Sequence, residues 1–102
     1  MKENESMDHI DHEAREQLVR AILSLETPEE CNAFLDDICT IRELSDIAQR
    51  WEVATMLWEG SNYAEISAVT GASTATISRV NKCLMYGSGG YRQVLDKMKK
   101  GE

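Results

Sequence analysis

Residues 63–80 read YAEISAVTGASTATISRV, and this stretch predicts two short helices joined by a tight turn. Gly71 permits the left-handed backbone conformation that ends the first helix, and Ser73 is a residue type that caps the second. Ser67 is small at the place where the two helices approach each other. Apolar side chains recur at a spacing that places them between the helices, namely Ile66, Ala72, Ile77 and Val80. The pattern is that of a helix-turn-helix.

The second helix of this motif carries short polar side chains on the face opposite its apolar residues. Short hydroxyls and methyl groups fit into the major groove of DNA, where they contact base edges and thymine methyl groups. Basic side chains and a capping serine hold phosphates, which set the register of a protein on the duplex. The predicted DNA-binding residues are Ser73, Thr74, Ala75, Thr76, Ser78, Arg79 and Lys82. The alternative is a helical hairpin used for packing alone, in a protein-interaction module that does not bind DNA.

The helical pattern continues on both sides of the motif, and no strand pattern competes with it. Residues 1–8 are polar and are predicted to be disordered. The remainder, residues 9–102, is predicted to be one all-α domain of six helices. Its parts are dimerisation helices over 9–59, the helix-turn-helix over 62–85 and a C-terminal helix over 91–100.

Local signals predict where the helices begin and end. Thr27 and Glu30 form the Thr-x-x-Glu pattern of a capping box, and Thr40 and Glu43 repeat it at the start of the third helix. That third helix is expected to stop at Gly60. The apolar residues expected to face inward are Trp51 and Trp58 on the third helix, as core or dimer-interface residues, and Val94, Leu95 and Met98 on the last.

The charge of the chain is unevenly distributed. The net charge at pH 7 is −7, but residues 1–59 contribute −10 (5 basic, 15 acidic) and residues 60–102 contribute +3 (6 basic, 3 acidic). An acidic half joined to a mildly basic half is what separate dimerisation and nucleic-acid-binding regions would produce. The other interpretation is that the acidic residues keep a helical bundle soluble.

Several classes of protein are not expected from this sequence. No stretch is apolar for long enough to span a membrane, and the first residues lack the apolar segment of a signal peptide, so a cytoplasmic protein is expected. Three cysteines without a C-x-x-C pair indicate neither a disulfide framework nor a zinc site. No nucleophile–base pair or paired-carboxylate arrangement stands out, so we expect no enzyme, no metal and no cofactor.

The run from Gly71 to Arg79 resembles the Trp repressor family, and the chain looks closest to its small TrpR-like subfamily named YerC/YecD. The likeness covers about residues 10–100 and is most specific between Trp51 and Leu84. It implies a six-helix subunit in an intertwined homodimer, with the helices before Gly60 building the shared core. Two recognition helices would then lie one DNA turn apart and read a palindromic site.

The same resemblance implies a pocket for a small-molecule effector, which in the Trp repressor is L-tryptophan. The positions of that pocket correspond in this chain to Thr40, Arg50, Arg79, Val80 and Cys83. The last two depart from the family pattern. Val80 stands where the repressor has glycine and Cys83 where it has serine. Because a branched side chain would intrude where an indole ring lies flat, we expect the effector, if the protein has one, not to be tryptophan. Alternatively, the two arginines pair with carboxylates such as Glu52, Glu59 or Glu65.

Together these features predict a sequence-specific regulator of transcription, of the repressor kind. It is expected to bind double-stranded DNA as a homodimer through its helix-turn-helix.

Overall fold

The computed structural model describes residues 11–101 and contains six helices within them, with no strand. The helices are α1 (His12–Leu23), α2 (Pro28–Ile38), α3 (Ile41–Trp58), α4 (Tyr63–Thr70), α5 (Thr74–Tyr86) and α6 (Gly90–Lys100). The predicted all-α fold of six helices is therefore confirmed. The disorder predicted for residues 1–8 lies outside the described residues. The first helix begins at His12 and not at the expected residue 9, because Asp11 caps it.

The chain divides into two compact units, of which the first ends at Cys39 and contains α1 and α2. Asp11 caps α1 by accepting a hydrogen bond from the backbone N–H of Glu13 at 3.0 Å. Thr27 caps α2 in the same way, from Glu30 N–H at 3.1 Å. The expected capping box is wrong in one detail: the Glu30 carboxylate accepts from the N–H of Glu26 at 2.8 Å and not from that of Thr27. The carboxylate thus satisfies a donor one residue further from the helix.

Neither helix of the first unit buries a side chain within its own unit. The apolar face of α1 stays open to solvent, with Leu18, Val19 and Ile22 each more than 40% exposed (42, 45 and 49%). Ile38 at the end of α2 is 51% exposed. Because helices this short are only marginally stable without tertiary packing, these faces need a partner surface.

The second unit begins at Thr40 and contains α3 to α6. The capping box at the start of α3 is present as predicted: Glu43 N–H donates to Thr40 Oγ1 at 3.0 Å, and Thr40 N–H donates to the Glu43 carboxylate at 2.9 Å. The helix ends at Trp58, and Gly60 follows with a left-handed φ of 94°. A clean start and stop define α3 as the long base on which the rest of the unit packs.

One apolar cluster holds this second unit together. Ile66, Ala72, Ile77 and Val80, the core predicted between the two helices of the motif, are all 2% exposed or less. Two fully buried residues of α3, Val53 and Ala54, complete the cluster. Full burial of an isoleucine or valine side chain contributes about 1.5–3 kcal/mol to folding. The helix-turn-helix is thus fastened to α3 along one apolar seam.

The last helix packs less completely than its sequence suggests. Leu95 is 6% exposed as expected, but Val94 and Met98 are 45 and 55% exposed, so the expectation that they face inward is wrong within one chain. Met98 borders an open groove of about 430 Å³ between α3 and α6, lined by Trp51, Thr55, Trp58, Glu59, Leu95, Met98 and Lys99, and Val94 borders a different open groove. At one end of α6, the Tyr91 ring stacks on that of Trp51 with centroids 6.3 Å apart.

No helix in the described part of the chain is long and apolar enough to cross a membrane. Within residues 11–101 no three metal-ligating side chains lie together as a metal site would require.

The left-handed conformation at Gly71 predicts a local cost for any side chain there. Gly71→Ala is expected to lower the free energy of unfolding by about 1–2 kcal/mol, because an L-residue pays this strain at positive φ. Gly90→Ala is the control, since Gly90 does not have positive φ and an added Cβ would meet no atom within 4 Å. Urea unfolding at one fixed protein concentration measures both. Equal stability of the two variants would contradict the requirement for glycine at the turn.

Candidate nucleic-acid interface

The first helix of the motif is fixed at both ends by local hydrogen bonds. Asn62 and Glu65 form a reciprocal capping box, with hydrogen bonds of 2.9 and 3.0 Å between each side chain and the backbone N–H of the other residue. At the other end Gly71 has φ 76°, and its N–H donates to the carbonyl of Ser67 at 2.9 Å. Local hydrogen bonds therefore set where the short α4 begins and ends.

Two hydroxyl groups stabilise the turn between α4 and α5. Ser67 Oγ donates to the carbonyl of Ala72 at 2.9 Å. Thr70 Oγ1 donates to the carbonyl of Ile66 at 2.8 Å and accepts from the N–H of Ala72 at 3.1 Å. These bonds satisfy backbone groups that the sharp change of direction would otherwise leave without partners.

A side chain from α3 holds the same turn. Gln49 Nε2 donates to the carbonyl of Thr70 at 3.1 Å in a partly buried position, across 21 residues of sequence. Sequence reasoning missed this residue, because a glutamine in the middle of a helix usually faces solvent. The bond adds a polar anchor to the apolar seam between α3 and the motif.

The recognition helix α5 has two distinct faces. Ile77, Val80 and Leu84 are buried on one side. Of the seven predicted DNA-binding residues, six lie exposed, and these are Ser73, Thr74, Ala75, Ser78, Arg79 and Lys82. Thr76 is half-buried, and its hydroxyl accepts a hydrogen bond of 3.1 Å from the hydroxyl of Ser73. The Ser73 oxygen also caps the helix by accepting from the N–H of Thr76 at 3.1 Å.

The exposed face of α5 is basic. The helix sequence TATISRVNKCLMY holds Arg79 and Lys82 and no acidic residue. The ion pairs that join side chains within residues 11–101 are His12–Glu16, Arg42–Asp46 and Asp96–Lys100. Neither α5 cation belongs to one of these pairs, and neither does Arg50. The predicted alternative, in which Arg50 and Arg79 pair with Glu52, Glu59 or Glu65, is thus not observed among the described residues.

The five residues predicted for an effector pocket occupy different environments. Thr40 is the cap of α3, and Arg50, Arg79 and Cys83 are exposed. Val80 is 2% exposed and belongs to the apolar cluster with Val53 and Ala54. Cys83 lines a separate open groove of about 580 Å³, together with Trp51, Gly87, Ser88, Gly90, Tyr91 and Val94.

A helix-turn-helix with an exposed basic face, carried on a helical base, is an architecture that DNA-binding regulators use. Comparison with known proteins specifies the class further. Residues 13–99 match the family "Trp repressor protein", and the chain belongs to the Trp repressor family. The resemblance drawn from the sequence is therefore confirmed.

Relatives of known sequence and structure agree with this placement. The chain is 55% identical over 87 residues to the uncharacterized protein YerC of Bacillus subtilis (strain 168), which covers 85% of this chain and 84% of YerC. A crystal structure of a TrpR-like protein from Eubacterium eligens ATCC 27750 is 49% identical, with a TM-score of 0.84 over 87% of this chain and 92% of that one. The crystal structure of a proposed Trp repressor from Staphylococcus aureus is 42% identical, with the same TM-score of 0.84 over 97% and 96%.

Proposed function

We propose that this protein is a sequence-specific transcriptional repressor that binds double-stranded DNA through α5 and acts in the cytoplasm. The observation that carries the proposal is the exposed face of α5, which presents hydroxyls, a methyl group and two cations and no carboxylate. A polyanion is the partner that such a face fits, although the whole chain has a net charge of −7. The regulatory role rests on membership of the Trp repressor family.

The positions of the exposed residues along α5 suggest that they contact different parts of the DNA. The first turn presents Thr74 and Ala75, and Ser78 follows on the same exposed side. Residues near the start of a recognition helix contact base edges in the major groove, where a small methyl group packs against thymine. Arg79 and Lys82 stand further along the helix, where long cationic side chains reach phosphates.

We also propose that the protein acts as a homodimer in which copies share their helices before Gly60. The support is the apolar surface that one chain leaves open on each unit. Leu18, Val19 and Ile22 are exposed on α1 of the first unit. Trp58 (41% exposed) and Met98 border the groove of the second. Large apolar side chains grouped on an exposed face are typical of protein interfaces. Two-fold symmetry would place two copies of α5 on a palindromic site.

The effector, if one exists, is proposed not to be tryptophan. Val80 carries its branched side chain inside the core that joins α5 to α3, at the position where the repressor has glycine. Removing that side chain to admit a ligand would open a cavity in the core, which costs stability. A pocket for a different small molecule is still proposed. Its lining would be the exposed side chains of Arg50, Arg79 and Cys83 together with Thr40, the N-cap of α3.

Selection from a random DNA pool tests the central proposal, and wild-type protein is expected to enrich a palindromic sequence. On that sequence, Arg79→Ala and Lys82→Ala should each weaken binding roughly hundredfold, because the dimer loses a hydrogen bond to a charged group in each of its two subunits. Each should reduce the magnitude of the slope of log K against log salt by about 2, because one phosphate contact is lost per subunit. Fluorescence anisotropy over a salt series measures both quantities.

The matched control is Arg42→Ala, which removes one exposed cation from α3, outside the motif, where Arg42 lies 3.8 Å from Asp46. It should leave both the affinity and the salt slope unchanged. If wild-type protein enriched no sequence and bound pooled genomic fragments at low salt no better than the variants, the alternative of a protein-interaction module would replace the proposal.

Sedimentation equilibrium tests the dimer. Wild-type protein is expected at twice the 11.5 kDa of one chain at micromolar concentration. Ile22→Lys places a charge on the open apolar face of α1 and should shift the equilibrium to monomer, with loss of helical circular dichroism. Glu13→Lys is the control and should leave the mass unchanged, because the exposed Glu13 lies about 180° around α1 from Ile22. A stable folded wild-type monomer would rule the dimer out.

Isothermal titration with L-tryptophan tests the effector assignment. No heat of binding above dilution is expected, and the affinity for the selected DNA should not change when tryptophan is added, because Val80 fills the space. Saturable heat together with tighter DNA binding would show that the pocket admits an indole after all.

A further inference from the structure

The C-terminal end of α5 has an unusual source of hydrogen bonds. The last four carbonyls of a helix have no partner within it and need one from elsewhere. Here the carbonyl of Cys83 accepts from the N–H of Gly87 at 2.8 Å. The next two carbonyls are served by a single side chain from α6: Arg92 Nε donates to Leu84 O at 2.8 Å, and Arg92 Nη2 donates to Met85 O at 3.2 Å.

Arg92 also supplies the positive charge that α5 lacks at this end. The last turn of α5 contains no basic residue, whereas the negative end of a helix dipole favours a nearby cation. The guanidinium group is planar, and its donors point in fixed directions. Two bonds from one such group to successive carbonyls therefore restrain both the position and the rotation of the last turn of α5 relative to α6.

The part of α6 that carries Arg92 is itself held in place. Its neighbour Tyr91 stacks on Trp51 of α3, with ring planes at 21°, and Leu95 one turn further on is buried. The link between α5 and α6 is short and its geometry is constrained. A Cβ at Gly87 would overlap the carbonyl oxygen of Cys83, and Gly89 adopts φ 90°. The restraint on α5 is thus transmitted to the base helix α3.

We propose that Arg92 is a positioning residue for DNA recognition, which fixes the angle of the α5 reading face without touching DNA. The proposal rests on the proposed function. The turn that precedes α5 is held to α3 through Gln49 and the Thr70 carbonyl, and Arg92 holds the end of α5 through α6. A helix restrained by the turn before it and at its own end presents Thr74 to Lys82 in one orientation. Reading base edges needs that orientation, whereas contact with phosphates alone tolerates variation.

The test compares Arg92→Gln and Arg92→Lys with Lys97→Gln, a control that removes an equal charge from α6. Affinity is measured for the selected sequence and for an unrelated duplex of the same length. Both Arg92 variants should bind the selected sequence roughly ten- to hundredfold more weakly, as expected when hydrogen bonds to a charged group are lost. Binding to the unrelated duplex, and its salt slope, should match wild type. Lysine should not rescue, because one ammonium group cannot reproduce the two directed bonds.

Amide hydrogen exchange of the DNA-free protein provides a readout of the restraint itself. Exchange in the last turn of α5 should be faster in both Arg92 variants, with no change in α3 or in the Lys97→Gln control. Arg92→Lys retains the charge, so it serves as the second variant if Arg92→Gln does not fold.

The outcomes separate the possible roles of Arg92. Full specific affinity in Arg92→Lys would show that charge alone matters, and equal weakening on both duplexes with a smaller salt slope would show a direct phosphate contact. Either result overturns the positioning role, as does unchanged exchange in α5. If wild-type protein selected no sequence, the proposed function itself would be overturned. If wild-type protein selected a sequence and the Arg92 variants bound it equally well, only the positioning role of Arg92 would be overturned.

Discussion

The apolar seam between α3 and the helix-turn-helix is the interaction on which the second unit depends. Helices α4 and α5 have 8 and 13 residues, lengths at which an isolated helix is barely stable in water. Their stability therefore comes from Ile66 and Ile77, which bury fully against Val53 and Ala54. The small side chain of Ala54 leaves room for the motif to lie close to α3. Because one face of α5 is buried against α3, the residues on its opposite face are the ones exposed to a partner.

The apolar seam between α3 and the helix-turn-helix also bears on whether a ligand controls the orientation of α5. Val80 is a core residue of this protein, and the resemblance to the Trp repressor implies glycine at this position in the repressor. A side chain there contributes to the attachment of α5, whereas a glycine leaves space beside the helix. The hydrogen bonds of Gln49 and Arg92 also attach the motif, because each joins it to another helix of its unit without any ligand. This combination favours a recognition helix whose orientation is set by the protein itself.

The features that the sequence predicted are those with local causes. Gly71 and the caps at Thr40 and Ser73 act over two or three residues, and the buried face of α5 follows from its own periodicity. The missed features connect distant parts of the chain. Gln49 reaches Thr70 across 21 residues, and nothing in a helical pattern marks either residue as a partner. The environments of Val94 and Met98 were predicted incorrectly because each borders a groove that stays open within a single chain.

Incomplete burial connects the two proposals about assembly and DNA binding. Eight apolar residues are buried among those described, all in the second unit, while α1 and α2 bury none within the first. A core this small supplies little stability, so any copy that covers the open faces also stabilises the folded chain by mass action. Since α3 both borders the open groove and carries the helix-turn-helix, assembly would support the surface that fixes α5. Folding, dimerisation and DNA binding would then form one coupled equilibrium, in which apparent DNA affinity rises with protein concentration until the dimer is saturated.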